Sequence, residues 1–346
     1  MEKVLVAMSG GVDSAVCALL LKEAGYDAVG VTMRLLSENA DAERDAEAVA
    51  KKVGIPFSVV DLREAFSSCV VDRFVREYEA GRTPNPCVDC NRSIKFGALM
   101  EVADRLGCAF LATGHYARLT REGGIVCLRK AKDESKDQSY MLACLSQETL
   151  SRVLLPLGDL TKAEVRALAA AHGFVNAEKK DSQDICFIPD GDHAAFLSSY
   201  TGKEYPAGDF VGPDGRVLGK HKGLVRYTVG QRKGLGLSLP SPLFVEHLDP
   251  EKNAVFLSDE PSLMKKEITL KFVNFAAHPS HIPFEGDTFP CLARVRYRQK
   301  ETPASATLLS DSRLRVTFVS PVRAPAPGQT AVLYAGDEVL ASGEIE

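Results

Sequence analysis

Two hydrophobic rhythms divide this chain, and together they rule out a fold of one class. From Lys3 to about Thr113, short β-rich runs (VLVAM, AVGVTM, FSVVDL, AFLATG) alternate with helical stretches such as Ala15 to Ala24 and Ala42 to Val53. That alternation predicts βαβ units and an α/β domain, a parallel sheet with helices on both faces and ligand sites at the carboxyl ends of its strands. From Lys266 onward only strand-like runs follow one another (ITLKFVNF, LARVRYRQ, LRVTFV, TAVLYA), which predicts a small all-β barrel or sandwich. Between the two, a helix over Lys162 to His172 starts at Thr161 with Glu164 placed for a capping box, and a last helical patch lies near His193 to Tyr200. Gly202 to Pro242 is then rich in Gly and Pro. Boundaries near residues 200 and 265 give three domains, 1–200, 201–264 and 265–346.

A length of 346 residues with 45% hydrophobic content supplies two or three cores. Met1 runs straight into an alternating strand and no segment reaches the roughly 18 uncharged apolar residues of a membrane span, so the cytoplasm is the expected compartment. In such a chain the nine cysteines are expected as reduced thiols. Cys17, Cys108, Cys127, Cys144 and Cys291 sit in apolar runs and read as buried hydrophobes. The net charge of -4 argues against a uniformly basic coat, so nucleic-acid contact would need local patches. Three basic clusters qualify: Arg118, Arg121, Arg129, Lys130, Lys132 and Lys136 around a hairpin; Lys220, Lys222, Arg226, Arg232 and Lys233 in the Gly-rich stretch; and Arg294, Arg296, Arg298 and Lys300, which on a strand would share one face. Taken singly, each also reads as a solvated face.

The segment VLVAMSGGVDSAVCALLL is a strand, a Ser/Gly turn and a helix, with SGGVDS (Ser9 to Ser14) at the junction. Gly10 and Gly11 permit close backbone approach and present consecutive N–H groups, and the helix N-terminus adds positive potential for phosphate. No Lys follows the glycines and the spacing is not GxGxxG, which disfavours P-loop and dinucleotide readings. In this setting SGGVDS resembles the PP-loop of the ATP pyrophosphatase group, which implies an adenine nucleotide α-hydrolase-like sheet, cleavage of ATP between its α and β phosphates, and substrate activation as an adenylate. The resemblance implies ATP contacts at Ala7, Met8, Ser9, Gly10, Gly11, Val12, Asp13, Ser14, Met33 and Gly114, with Asp13 helping to place Mg2+. Met33 by itself would read as core packing.

Two further segments carry cysteines. GRTPNPCVDCNRSIKFG (Gly81 to Gly97) holds Cys87 and Cys90 as a CxxC, and KKDSQDICFIPD (Lys179 to Asp190) holds Cys186 among apolar neighbours. With SGGVDS, TGHYAR (Thr113 to Arg118) and KDQSYML (Lys136 to Leu142), they resemble the tRNA-specific 2-thiouridylase family over nearly the whole chain. The implied activity is ATP-dependent 2-thiolation of the wobble uridine of lysine, glutamate and glutamine tRNAs. The chemistry fits together: adenylation turns the uracil O2 into a leaving group, and a sulfur nucleophile displaces AMP. Thiolates do such work, and Arg92 and Lys95 lie near Cys90 in sequence to favour them.

The resemblance implies Cys186 as persulfide carrier and Cys90 as nucleophile, ending as a Cys90–Cys186 disulfide that must be reduced. Many relatives carry Asp where this chain has Cys87. Three cysteines from two loops would alternatively hold a [4Fe-4S] cluster with one open iron for sulfide, and Cys87 tilts the reading that way. A zinc site lacks a second CxxC or paired His, and a thioredoxin-type pair leaves Cys186 unexplained. The resemblance further implies that Asn85, Pro86 and Cys87 lie against the flipped base, and that His115, Lys136, Asp137, Gln138, Arg296, Tyr297 and Gln329 meet tRNA or substrate. Alone, His115 reads equally as a buried strand-end histidine, and Arg296 and Tyr297 as ordinary strand residues. The sulfur donor is open between a cysteine desulfurase, a carrier protein and free sulfide. A PP-loop ligase acting on a small molecule would account for SGGVDS but leave the cysteine segments idle, and a non-catalytic RNA-binding protein would leave the whole loop idle.

Overall fold

In the computed structural model, which describes residues 1–37, 40–122, 124–176, 185–277 and 284–346, the first rhythm becomes a five-stranded parallel sheet. Its strands are β1 (Lys3–Ala7), β2 (Asp27–Arg34), β3 (Phe57–Asp61), β4 (Phe110–Ala112) and, after a hairpin of β5 (Arg118–Glu122) and β6 (Ile125–Arg129), β7 (Val153–Leu154). The order is β3-β2-β1-β4-β7. Val4, Leu5 and Val6 of central β1 are wholly buried, because both faces of an inner parallel strand are covered. Val4 and Val6 pack with Val16 of α1 (Val12–Glu23), Val49 of α2 (Ala40–Val53) and Val165 of the helix Lys162–Ala171. Leu5 faces the other way, into a core with Val31, Leu111 and Tyr140.

α1 begins at Val12, three residues before the apolar run suggests, so half of SGGVDS is already its first turn. The capping box forms as expected: Thr161 Oγ1 accepts the Glu164 N–H at 3.2 Å and Glu164 Oε2 accepts the Thr161 N–H at 2.6 Å. The patch near His193 is a helix, His193–Thr201, closed by Gly202 in the left-handed region.

The Gly-rich stretch leads into a sheet of β8 (Gly208–Val211), β9 (Val217–His221), β10 (Phe244–Asp249) and β11 (Ala254–Ser258) around Phe210, Tyr227, Val245 and Leu257. The terminal strands are β12 (Met264–Phe275), β13 (Thr288–Arg294), β14 (Thr302–Leu308), β15 (Leu314–Arg323), β16 (Thr330–Ala335) and β17 (Glu338–Ile345). They run β12-β15-β14-β13-β16-β17 and close into a barrel by pairing β12 with β17, which removes open edges. Every residue of β17 is buried. Val332, Tyr334 and Val339 belong to the core that also holds Leu5 and Leu111, so the barrel packs directly on the α/β domain. The hairpin β5–β6 continues the barrel sheet through the Arg129–Glu338 pair.

One sequence expectation is overturned here. β13 stops at Arg294 and the chain turns, with the Gln299 N–H bonded to Arg296 O at 3.1 Å. Arg294, Arg296, Arg298 and Lys300 therefore do not share a strand face. Residues 179–184 of the KKDSQDICFIPD segment lie outside the described residues. Among the described residues no helix is long and apolar enough to cross a membrane.

Candidate active site

β1 lies at the point where strand order reverses, flanked by β2 and β4, and the segments leaving β1 and β4 meet there. SGGVDS follows β1. Gly10 takes φ +73°, and a Cβ there would lie 2.5 Å from Ala42 O of α2, so both backbone angle and space require glycine. Gly11 is the N-cap of α1 and supplies no side chain to its first N–H groups, which leaves them for an anionic ligand. The turn is held from inside: Ser14 Oγ accepts the Ser9 N–H at 3.2 Å and donates to Gly11 O at 3.0 Å, and Thr32 Oγ1 donates to Met8 O at 2.6 Å. Buried Asn176 donates its amide to Gly10 O at 3.0 Å. Met33 lies near the end of β2, half-buried between two apolar clusters.

Asp13 projects from the first turn of α1 and accepts Tyr116 Oη at 2.7 Å and Lys162 Nζ at 2.8 Å on both oxygens. Lys162 is buried and opens its helix, its own N–H bonded to Asp133 Oδ2 at 3.0 Å. Gly114, from the segment after β4, fits against the loop so closely that a Cβ would fall 2.8 Å from Asp13 C and 2.9 Å from Ser14 N. A large surface recess of about 820 Å³ lies elsewhere, against Asp61, Leu62, Arg63, Glu64, Ala65 and Ser68, and no residue of SGGVDS lines it.

The CxxC is the short helix Pro86–Cys90, with proline at its first position and Asn85 as N-cap, Oδ1 accepting the Val88 N–H at 3.4 Å. Cys87 is exposed and Cys90 half-buried. Cys186 is exposed too, presented by its neighbours: Phe187 and Ile188 are buried, and Phe187 meets Phe66 and Phe74 edge to face at 5.8 and 5.3 Å. Cys90 and Ile185 pack at the margin of the same apolar cluster.

The three thiols occupy one electrostatic neighbourhood, and the thiolate expectation needs correction. Burial pushes Cys90 up to about 11; Lys95 pulls it down, and Cys186, Cys87 and Asp89 push it further up. Cys87 and Cys186 are raised as well, with desolvation again the largest cause and Lys95 opposing it. Although both expose surface, the protein dense around their sulfurs outweighs one cation. Arg92 acts on Asp89 and on Cys144 instead. Lys95 also reaches His115, whose ring stacks obliquely near Phe96 and whose Nδ1 bonds Thr113 Oγ1 at 2.8 Å. Burial holds His115 neutral, well below the ordinary histidine range. Cys17, Cys108, Cys127, Cys144 and Cys291 are buried, as their apolar runs predict, and Cys69 is exposed.

The residues expected to meet RNA divide sharply. Asp137 is buried and accepts Ala131 N–H, Ser139 N–H and Ser139 Oγ at 3.0, 3.2 and 2.8 Å. Gln138 Oε1 accepts the Tyr116 N–H at 2.9 Å, Tyr297 Oη donates to Asp137 O at 3.4 Å, and Lys136 is half-buried beside them. Arg296 Nη2 donates to Val229 O and Ala324 O, both at 2.9 Å, and Gln329 Nε2 donates to Thr83 O and Pro84 O at 2.8 and 3.2 Å. These groups are engaged inside the protein.

Half of the hairpin cluster is paired within the protein: Arg118 and Arg129 with Asp337, and Lys130 with Glu301. Arg294 reaches Asp137 and Glu301. In the middle domain Lys220 pairs with Asp209, but Lys222, Arg226, Arg232 and Lys233 are exposed.

Against known proteins, residues 2–190 match the tRNA methyl transferase HUP domain, 194–259 the tRNA methyl transferase PRC-barrel domain and 265–345 the aminomethyltransferase beta-barrel domain. The tRNA-specific 2-thiouridylase MnmA of Acidithiobacillus ferrooxidans is 45% identical over 351 residues, covering 100% of this chain and 98% of the relative. The chain belongs to the tRNA-specific 2-thiouridylase family. The family's enzyme from Clostridium acetobutylicum is 42% identical over 359 residues, covering 100% of this chain and 99% of its own length.

As a 2-thiouridylase, the chain carries out ATP-dependent thiolation of a tRNA uridine, and ATP with Mg2+ is the family's cofactor pair. Solved structures with partial similarity include a 4-thiouridine synthetase–RNA complex with bound ATP (20% identity, TM-score 0.39, 58% of this chain and 50% of that one). Another is the U34-tRNA thiolase NcsA of Methanococcus maripaludis with its [4Fe-4S] cluster (21%, 0.37, 58% and 64%). Lys162, Tyr116 and Asn176 are site residues that sequence reasoning missed. Tyr116 lies within the TGHYAR segment and Lys162 directly follows the N-cap Thr161, whereas Asn176 left no signal.

Proposed function

We propose that this 2-thiouridylase modifies the wobble uridine, position 34, of lysine, glutamate and glutamine tRNAs in the cytoplasm, through an adenylated base and a persulfide. The observation that carries the reading is the meeting of Gly114 with Asp13 and Ser14 at the reversal point of the sheet, one segment away from His115, Lys95 and the thiols. Residues 1–200 perform the chemistry; 201–264 and 265–346 serve RNA binding and support. Ala7 to Ser14, Met33 and Gly114 form the ATP site. The N–H groups of the first turn of α1 take the phosphates, and Asn176 and Ser14 keep the loop in shape for them. Asp13 would hold Mg2+, which neutralises phosphate charge; a carboxylate has about four lone-pair sites, and Lys162 and Tyr116 use three. Lys162 supplies a second positive charge beside the same phosphates.

Asn85, Pro86 and Cys87 receive the extruded base, and the uracil O2 attacks the α-phosphate, releasing pyrophosphate. The terminal sulfur of a persulfide on Cys186 then bonds to C2, and AMP leaves with the electron pair. The Cys90 thiolate attacks Cys186 Sγ, the bond to the transferred sulfur breaks, and 2-thiouridine departs. A Cys90–Cys186 disulfide remains, and an external thiol reductant restores both. The persulfide comes from a cysteine desulfurase, a sulfur-carrier protein or sulfide with an oxidant. The exposed Lys222, Arg226, Arg232 and Lys233 are the surface best suited to tRNA phosphates.

The persulfide is preferred here to a [4Fe-4S] cluster on Cys87, Cys90 and Cys186. Among the described residues no group of three or more His, Cys, Asp and Glu stands close enough to hold a metal ion, and the persulfide route needs only Cys90 and Cys186. The test is mass spectrometry of tRNA nucleosides after reaction with ATP, reductant and a persulfide donor in iron-free enzyme. Thiouridine should form, and Cys90→Ser and Cys186→Ser should each abolish it while pyrophosphate release persists. Product that appears only after anaerobic iron and sulfide loading, and that Cys87→Ala removes, would replace this route.

A further inference from the structure

The loop that carries the CxxC is poorly equipped to hold itself. Pro84 and Pro86 have no N–H to donate, and the loop's anchoring bonds come instead from residues more than two hundred positions away. The Thr83 N–H donates to Pro327 O at 2.8 Å, and Gln329 Nε2 donates to the carbonyls of both Thr83 and Pro84. Gly328, φ +86°, passes so near that a Cβ would lie 3.1 Å from Arg82 Cβ and from Thr83 N. On the other side of the CxxC helix, Arg73 Nε binds Asp89 Oδ2 at 3.1 Å while its Nη2 binds Glu344 of β17. Asp89 lies between the two cysteines in sequence. Lys271 of β12 closes on Glu344 Oε1 at 3.1 Å. Tyr140, which also hydrogen-bonds Asn85, donates to Thr330 O of β16 at 2.6 Å. Asp89 and Glu344 are both buried, so these charges have little water to fall back on.

We infer that the C-terminal barrel is a positioning element for sulfur transfer: Gln329 from one side, and Glu344 through Arg73 and Asp89 from the other, fix where Cys87 and Cys90 stand. Gln329 and Glu344 touch no reacting atom. They act through the loop, and a displacement of about 1 Å in a reacting group is enough to cost up to about a hundredfold in rate. The inference rests on the reading that Cys90 handles the sulfur. It also gives Gln329 a role within the protein, since its amide nitrogen is bonded to the loop backbone.

The experiment uses the full chain with Gln329→Glu, which keeps size and shape but replaces the donating amide by an accepting carboxylate, and with Glu344→Gln as an independent second variant. Three readouts are taken: tRNA-dependent pyrophosphate release, 2-thiouridine formation, and iodoacetamide alkylation of individual cysteines followed by mass spectrometry. In both variants thiouridine formation should fall by at least about tenfold, and by several-fold more than tRNA-dependent pyrophosphate release, which shares the base pocket but does not use Cys90. Alkylation of Cys90 should quicken several-fold while wholly buried Cys17 stays protected. Glu344→Gln should be the milder, since the Gln amide oxygen still accepts from Arg73. Cys90 alkylation that is unchanged, or that rises only in step with Cys17, overturns the inference; so does a raised KM for tRNA with normal transfer. Failure of the underlying reading looks different: Cys90→Ser would then retain thiolation.

Discussion

Lys162 Nζ stands 2.8 Å from both carboxylate oxygens of Asp13, joining the opening turns of two helices 149 residues apart. The pair is more than an ordinary surface bridge, because Lys162 is buried and Tyr116 shares the carboxylate. On the proposed reading, the ammonium beside the phosphate loop contributes to charge stabilisation when the α–β bond of ATP breaks. Lys162→Met should reduce tRNA-dependent pyrophosphate release by about a hundredfold, with tRNA affinity in filter binding unchanged. Normal release would reduce Lys162 to a structural counter-ion.

Lys95 is the cation that opposes burial at all three thiols. Because Cys90 is pushed up to about 11, little of it is thiolate at neutral pH, and the thiolate fraction grows about tenfold per pH unit until the pKa is approached. Sulfur transfer, measured in single turnover from preformed adenylate, should therefore climb with pH and show no plateau below pH 9. Lys95→Met should lower the rate at pH 7.5 and displace the rise to higher pH. A plateau near pH 7 would mean that the reacting sulfur is not Cys90.

Arg296 ties the middle domain to the barrel through Val229 O and Ala324 O. Desolvation already lowers its guanidinium from the ordinary value. Removing the two charged donors by Arg296→Ala should cost about 2–3 kcal/mol, read as a lower melting temperature, with tRNA affinity at 20 °C preserved. Weakened tRNA binding at unchanged melting temperature would return Arg296 to the RNA surface.

Arg232 and Lys233 belong to the exposed basic group of the middle domain. If that surface meets tRNA phosphates, the double change to Ala should weaken binding of all tRNAs alike and lower the slope of log K against log salt by about 1–2. An unchanged slope would move the RNA surface elsewhere.

What the sequence disclosed is what depends on neighbours in the chain. The capping box at Thr161 and Glu164, the glycine at position 10 and the apolar anchors beside Cys186 are local matters, and each is found where its residues predict. Charge bookkeeping was not local. Arg118 and Arg129 looked available until Asp337 arrived from more than two hundred residues away, and the run of alternating arginines failed because the strand ends at Arg294 and turns. The site shows the same division: SGGVDS was legible as a motif, while Lys162, Tyr116 and Asn176 came from segments whose approach only the folded sheet produces. The raised thiols are of this kind too, since Lys95 could be read from the sequence and the surrounding desolvation could not.

β17 is buried along its whole length and contacts the hairpin, the first barrel strand and, through Glu344, the arginine beside the CxxC. During synthesis the α/β domain leaves the ribosome long before this strand exists. Leu5 of β1 shares its core with Val332, Tyr334 and Val339 of the barrel, so the strand before the ATP loop, like the inferred anchoring of the cysteine loop, waits for a support not yet translated. On that inference a partly made chain lacks a finished sulfur site, and competence to thiolate arrives only with β17.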